Sequence, residues 1–90
     1  MDFDWDDANI EHIAEHRLTP DEVEEAFFDA ARVPIPAYTV GKERRRGVVC
    51  ATSAGRLLIV ITTRRGERIR VVTARDATES EQRRYRRRGK

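Results

Sequence analysis

The chain has 90 residues, 39% hydrophobic and 38% charged, which predicts a single domain over residues 1–90 with a modest core and excludes a separate catalytic domain. The net charge of +2 is the sum of two oppositely charged segments. Residues 1–29 have 11 acidic side chains and one arginine, whereas residues 30–90 have 5 acidic side chains and 17 Lys and Arg. This separation of charge indicates a nucleic acid partner or an acidic helical layer over a basic sheet. Without a cationic leader or an apolar window of about 18 residues, the chain is expected to be soluble and cytoplasmic, and its one cysteine, Cys50, is expected to be a small buried hydrophobe.

The N-terminal third predicts a short strand followed by two helices. Phe3 and Trp5 alternate with aspartates, a pattern typical of a strand with one buried face. Apolar residues at helical spacing predict a first helix over residues 7–17. The run Thr19-Pro20-Asp21-Glu22 is a capping box with proline at the first helical position, so a second helix is expected from there to about Asp29.

The central part of the chain predicts a sheet. Residues 33–36 contain two prolines and are expected to form an edge strand or an irregular arm. Strands follow at Arg45–Thr52 and Arg56–Thr63, and the unbroken apolar run Leu57–Ile61 places the second of these in the middle of the sheet. Arg68–Arg75 then alternates and predicts a last strand.

In that last strand, Ile69, Val71 and Thr73 are expected to face the helices, with Arg68 and Arg70 on the opposite side. A second capping box at Thr78–Glu81 opens a final helix through Tyr85, and residues 86–90 are expected to fray. The fold class is therefore α+β. We expect an antiparallel sheet of three to five strands, with two N-terminal helices packed on one face and a C-terminal helix, the helices covering one sheet face and leaving an arginine-bearing face open.

The segment His12-Ile13-Ala14-Glu15-His16 matches the H-x-x-E-H signature of one class of zinc peptidases. Two histidines four residues apart share one side of a helix and can provide two zinc ligands, but a catalytic site needs three, and no other histidine or clustered cysteine exists. We therefore expect no metal and no cofactor. Asn9 and both histidines are expected to form polar packing between the first helix and the sheet, with a role beside a substrate groove, or a zinc hydrolase using Glu15, as the alternatives.

Short segments with a specific order and spacing occur in the N-terminal third and again in the second half: Trp5-Asp6, Asn9–Ile13, His16, Leu18–Ala26, Gly55–Leu58, Arg65-Gly66, Arg68–Arg75, Ala77-Thr78 and Glu81–Tyr85. In these segments the chain resembles the BrnT family of type II toxins over almost its whole length. The resemblance implies a RelE-like ribonuclease fold, an RNA-cleaving activity that inhibits growth, and a BrnA-type antitoxin with a ribbon-helix-helix DNA-binding domain. Arg17 and Cys50 depart from the family, which often has glycine at both places.

RNA cleavage by attack of a ribose 2′-hydroxyl on the adjacent phosphate requires a cation for the developing charge and groups that move protons. Guanidinium suits the first need because it is always ionised and contacts two oxygens at once. Our candidate catalytic residues are Arg45, Arg70, Arg75, Glu81 and Tyr85, with Glu81 as the base and Tyr85 as a ligand of the substrate. The alternatives are helix capping for Glu81 and half-buried packing for Tyr85.

Arg64 and Arg68 are candidate RNA-binding residues that contact backbone phosphates; the alternatives for them are a solvated sheet face or the docking surface of the antitoxin. We expect DNA to be contacted only through the antitoxin. The expected assembly is a homodimer of this chain or a heterotetramer of this chain with the antitoxin. The rival interpretation is an inactive binding module that acts within an antitoxin–DNA complex. It predicts phosphate affinity that falls with salt, without RNA scission.

Overall fold

A computed structural model of the chain describes residues 2–88. The elements in chain order are α1 (Asp7–Ala14), α2 (Pro20–Phe27), β1 (Val33–Val40), β2 (Glu43–Ala51), β3 (Leu57–Arg65), β4 (Arg68–Asp76) and α3 (Glu79–Arg86). The strands form one antiparallel sheet in the order β1-β2-β3-β4. The α+β class is thus confirmed, with β3 inside the sheet and the proline-containing β1 at its edge. Within residues 2–88, no helix has the length and apolar character needed to cross a membrane.

The N-terminal strand expected around Phe3 is reduced to one parallel bridge between Phe3 and Ile69, beside β4. Asp4 N donates to Ile69 O at 2.8 Å, and Ile69 N donates to Asp2 O at 2.9 Å. The segment before α1 therefore lies along the β4 edge of the sheet.

All three helices begin at capping boxes, formed by Asp6 with Asn9, Thr19 with Glu22, and Thr78 with Glu81. α1 ends at Ala14 and α2 at Phe27, both earlier than the sequence predicts. α1 gives way to a turn in which Arg17 has φ 58°. Arg56 stabilises this turn by donating to Arg17 O at 2.8 Å and to His16 O at 2.7 Å. A residue at that φ explains why glycine suits the position of Arg17.

The first face of the sheet, which carries Val48, Cys50, Leu58 and Val60, packs against α1 and α2. Ile13 and Val23 are fully buried against these strands. Cys50 is also fully buried, and burial, assisted by the nearby Asp29 carboxylate, raises the pKa of its thiol to about 12. The predicted role of Cys50 as a small hydrophobe is confirmed.

The second face, which carries Val49, Ile59 and Ile61, packs against Tyr85 of α3 and against Ala77, which precedes that helix. The prediction that the helices cover one face only is therefore wrong. Ala77 N donates to Leu57 O at 2.9 Å, so the chain stays in the plane of the sheet until α3 begins. The physical reason lies in the apolar run of β3, because side chains that alternate to both faces require a cover on each.

A β-bulge in β4 changes the face of the residues that follow it. Ile61 is opposite Thr73 but Thr62 is opposite Val71, so Val72 is the extra residue. Val71 and Ala74 join the first-face core, and Thr73 Oγ1 lies 3.0 Å from His12 Nε2 of α1. The prediction that Ile69, Val71 and Thr73 face the helices is therefore confirmed, and the bulge shifts the alternation only from Ala74 onward.

Candidate active site

The junction of β4 and α3 holds a bidentate ion pair between two of the predicted site residues. Arg75 Nη1 lies 2.9 Å from Glu81 Oε1, and Arg75 Nη2 lies 3.3 Å from Glu81 Oε2. Glu81 Oε1 also accepts a hydrogen bond from Thr78 N at 2.8 Å. The capping box therefore fixes the carboxylate beside β4, and Glu81 combines its alternative role as a helix cap with contact to the candidate arginine.

The environment of Glu81 determines its protonation. Burial of the carboxylate raises its pKa, but hydrogen bonds from Arg75 and Thr78 outweigh burial and hold the pKa below 4.5. Glu81 is therefore ionised at neutral pH. A carboxylate held by a guanidinium is a poor proton acceptor, so its basicity would rise if Arg75 were drawn to another anion.

Tyr85, one helical turn after Glu81, is fixed by Asp29 at the end of α2. Its hydroxyl donates to Asp29 Oδ2 at 2.7 Å, and the same carboxylate accepts from Ala51 N at 3.0 Å and from Ala31 N at 2.9 Å. Burial and the hydrogen bond to Asp29 raise the pKa of Tyr85 above 10, so the phenol stays neutral. Tyr85 is half-buried in the second-face core, and Asp29 was missed because its position after α2 predicts only a helix end.

A second group of candidates lies toward the other end of the second face. Thr63 of β3 is opposite Arg45 of β2 on one side and opposite Arg70 of β4 on the other. Tyr38 of β1 is in turn opposite Arg45. Arg45 Nε donates to Glu43 Oε1 at 2.8 Å, and Arg70 Nη2 donates to Asp6 Oδ2 at 2.8 Å. Each guanidinium therefore already has an internal partner.

The two groups are separated along the sheet. Arg75 is opposite Ile59, four residues along β3 from Thr63, which corresponds to about 14 Å at a strand rise of about 3.4 Å per residue. Ile35 and Ile61 lie between them, over Gly47, where an added Cβ would be 2.6 Å from Ile35 Cδ1. The structure thus brings Arg75 to Glu81 but does not gather the three arginines into one cluster.

The two predicted RNA-binding residues fall on opposite faces. Arg68, opposite Arg65, alternates to the second face with Arg70. Arg64, opposite Ile69, alternates to the first face. A single straight RNA strand along one face would therefore contact only one of the two.

The histidine motif contacts β4. Asn9 Nδ2 donates to Val71 O at 3.0 Å, and His12 Nε2 lies 3.0 Å from Thr73 Oγ1. His12 and His16 have ring centroids 6.0 Å apart, and residues 2–88 contain no group of three His, Cys, Asp or Glu side chains arranged to hold a metal. The predicted polar packing between α1 and the sheet is confirmed for Asn9 and His12.

One family model matches the chain, over residues 5–81, and describes a ribonuclease toxin, BrnT, of a type II toxin-antitoxin system. The matched range includes Arg45, Arg70, Arg75 and Glu81 and ends before Tyr85. No curated protein sequence matches the chain significantly. Because the family match spans most of the 90 residues, this chain belongs to the BrnT family of ribonuclease toxins of type II toxin-antitoxin systems.

Proposed function

We propose that the protein is a metal-independent RNA endonuclease with a RelE-like fold, whose active site is centred on Arg75 and Glu81. The observation that carries the proposal is their bidentate ion pair at the β4–α3 junction, beside Tyr85. A guanidinium that holds a carboxylate through two hydrogen bonds has the geometry to hold two phosphate oxygens. The growth inhibition expected of a toxin then follows from RNA cleavage.

In the proposed reaction, a substrate phosphate replaces the Glu81 carboxylate on Arg75. Glu81 then accepts the proton of the ribose 2′-hydroxyl, whose oxygen forms a bond to phosphorus while the bond to the 5′ oxygen breaks. The 5′ oxygen takes a proton from water. The products are a 2′,3′-cyclic phosphate and a 5′-hydroxyl, and Arg75 neutralises the negative charge that develops on the phosphate oxygens.

Displacement of Glu81 from Arg75 by the substrate phosphate also explains how a carboxylate with a low pKa can act as the base. In the free protein, burial raises the pKa of Glu81, but the hydrogen bonds and the charge of Arg75, together with the hydrogen bonds from Thr78, hold the pKa below its usual value. When phosphate occupies the guanidinium, that stabilisation is lost and the pKa of Glu81 rises toward the working pH. Substrate binding and activation of the base are thus one event.

The remaining candidates are assigned to the substrate. Tyr85, held neutral by Asp29, presents a phenol and an aromatic ring one turn after Glu81 and serves as a substrate ligand. Arg45, Arg68 and Arg70 lie farther along the second face, where they contact neighbouring phosphates. Arg45 and Arg70 exchange their internal carboxylates for RNA in the same way as Arg75.

The test compares Arg75→Ala and Glu81→Gln with Arg83→Ala, a matched control that removes an arginine from an exposed ion pair of α3. Glu81→Gln is expected to lower the cleavage rate by about 10²–10⁴-fold, the usual contribution of a general base, and Arg75→Ala by a similar factor. Arg83→Ala should cleave at the wild-type rate. Urea midpoints show whether each variant is folded; a folded Arg75→Ala protein with wild-type activity removes Arg75 from the site.

A second candidate function is a catalytically inactive binding module within an antitoxin–DNA complex. The observation in its favour is that Arg75 and Glu81 neutralise each other. In both proposals the partner is a BrnA-like ribbon-helix-helix antitoxin, and DNA is contacted only through it. The inactive module predicts RNA affinity that falls with salt and no scission in any variant.

A further inference from the structure

A basic groove of about 840 Å³ lies at the end of the sheet that holds the β1–β2 turn and the β3 terminus. Its charged lining consists of five cations and one carboxylate: Arg32, Lys42, Arg44, Arg46, Arg64 and Glu43. Arg46 is opposite Thr62 on the neighbouring strand, and both line the groove. The groove is distinct from the site at Arg75, which does not line it.

The groove belongs mainly to the first face. Arg44 and Arg46 alternate to the same side of β2 as Val48 and Cys50, which pack under α1 and α2. Arg64 is opposite Ile69 on that face. Because Arg75 is on the second face, a ligand in the groove does not compete with a phosphate at the proposed active site.

Among the residues that the structure describes, the cations of the groove have no carboxylate partner. Within the part of the chain that the structure describes, ion pairs are formed by Arg45, Arg56, Arg70, Arg75 and Arg83, none of which is a groove cation. Glu43, the acid in the lining, pairs with Arg45. Five cations gathered in one concave surface without compensation repel one another, so a polyanion that occupies it is favoured.

The chemistry of the lining distinguishes between two polyanions. The core of a protein–protein interface is depleted of charged residues, whereas charge dominates this groove. Single-stranded nucleic acid binds to grooves that combine cations along its backbone with apolar or aromatic side chains under its bases. The half-buried ring of Phe27 and the side chain of Val40, which is 47% exposed, provide such a surface.

We propose that the basic groove is a second binding site for single-stranded RNA, which holds a distal part of a long substrate while another part occupies Arg75. Arg44 and Arg46 are two residues apart on β2, about 7 Å at a strand rise of about 3.4 Å per residue, so they can contact successive phosphates of an extended strand. The claim that one RNA occupies both the groove and Arg75 rests on the proposed nuclease function, but the binding of RNA to the groove does not.

The binding test uses a fluorescein-labelled 20-nucleotide 2′-O-methyl oligouridine, which has no free 2′-hydroxyl at its internal positions and so remains intact. Anisotropy titrations compare the wild type with the double variant Arg44→Gln/Arg46→Gln and with the control Arg84→Gln/Arg87→Gln, which removes the same charge from exposed positions at α3 and its C-terminal end. The groove variant is expected to bind about tenfold more weakly, and its slope of log K against log salt should fall by about 1.4, at about 0.7 per lost single-strand contact.

Both substituted groove side chains are exposed, so the variant is expected to fold, and Arg44→Lys/Arg46→Lys should retain most of the affinity. Unchanged affinity in the groove variant, or an equal loss in the control, overturns the proposal. In the first case an acidic protein segment becomes the better occupant; in the second, the attraction is general electrostatics.

Cleavage separates this proposal from the nuclease function. For a 20-nucleotide RNA, the groove variant should raise KM without changing kcat, and a four-nucleotide RNA should be cleaved as by the wild type. An equal loss on both lengths contradicts a distal site. If no protein cleaves either RNA, the nuclease proposal fails, while the anisotropy result still decides whether the groove binds RNA.

Discussion

The substitution Asp29→Asn is expected to loosen α3 from the sheet, because one carboxylate joins three elements of the fold. Asp29 follows α2, accepts a hydrogen bond from Ala51 N in β2 at 3.0 Å and accepts another from Tyr85 in α3 at 2.7 Å. Ala31 N donates to its other oxygen at 2.9 Å. Asparagine preserves the size of the side chain but places an amide N–H₂ group where one of these donors points.

The magnitude follows from the contacts. Hydrogen bonds to a charged group contribute about 1.5–3 kcal/mol each, and those between neutral groups about 1 kcal/mol. Asparagine loses the hydrogen bond to the carboxylate oxygen that its amide nitrogen replaces. The two hydrogen bonds accepted by its remaining oxygen become weaker, because that oxygen no longer carries a charge. Because Asp29 is partly solvated, water replaces part of this loss, and we expect the free energy of unfolding to fall by about 2 kcal/mol.

The assay is urea unfolding of Asp29→Asn, Tyr85→Phe and the double variant, with Asp21→Asn, an exposed residue of α2, as the control. Because Asp29 and Tyr85 share a hydrogen bond, Tyr85→Phe should cost about 1 kcal/mol alone and less than about 0.5 kcal/mol in the Asp29→Asn background. Strict additivity, or a loss below about 0.5 kcal/mol for Asp29→Asn, the range of ordinary surface substitutions, would show that Asp29 does not hold α3 to the sheet.

Three further predictions concern stability. Arg17→Gly should raise the free energy of unfolding by up to about 1 kcal/mol by relieving the positive φ, while Arg17→Ala should not. Gly47→Ala should lower it by about 1–3 kcal/mol, because the new Cβ overlaps Ile35, and Ile35→Ala should lessen that cost in the double variant. The pKa of Glu81 in the folded protein is lowered from 4.5, so the stability that this carboxylate adds is present above pH 4.5 and is lost as the pH falls through the folded pKa. The free energies of unfolding of the wild type and Glu81→Gln, measured by chemical denaturation, should therefore converge in acid. A difference that stays constant with pH contradicts the role of Glu81.

The elements with local signals were predictable from the sequence. The capping boxes of Thr19 and Thr78 fix the starts of α2 and α3 because they depend on side chains three residues apart. The apolar run of β3 fixes its central place, and the two prolines of β1 fix its place at the edge. Strand alternation also assigns Arg68 and Arg70 to the second face.

Features that depend on contacts between distant residues were not predictable. The bulge at Val72 follows from how β3 and β4 pair, and it puts Ala74 on the first face and Arg75 on the second, the reverse of what simple alternation predicts. The side of the sheet that α3 covers is decided by the apolar side chains on β3, not by the helix itself. The pair of Arg70 with Asp6 joins residues 64 positions apart, whereas Arg75 and Glu81 are close in sequence and could be expected to meet.

Metal-independent RNA cleavage by Arg75 and Glu81 is tested by incubating the purified protein with a defined RNA, with and without EDTA, and identifying the ends of the fragments. We expect cleavage at the same rate in both samples, with 2′,3′-cyclic phosphate and 5′-hydroxyl ends, and no such fragments with Glu81→Gln over the same time. Cleavage that stops in EDTA contradicts the proposed mechanism and favours a zinc hydrolase at His12 and His16. The absence of cleavage in both samples contradicts it as well and favours the inactive binding module.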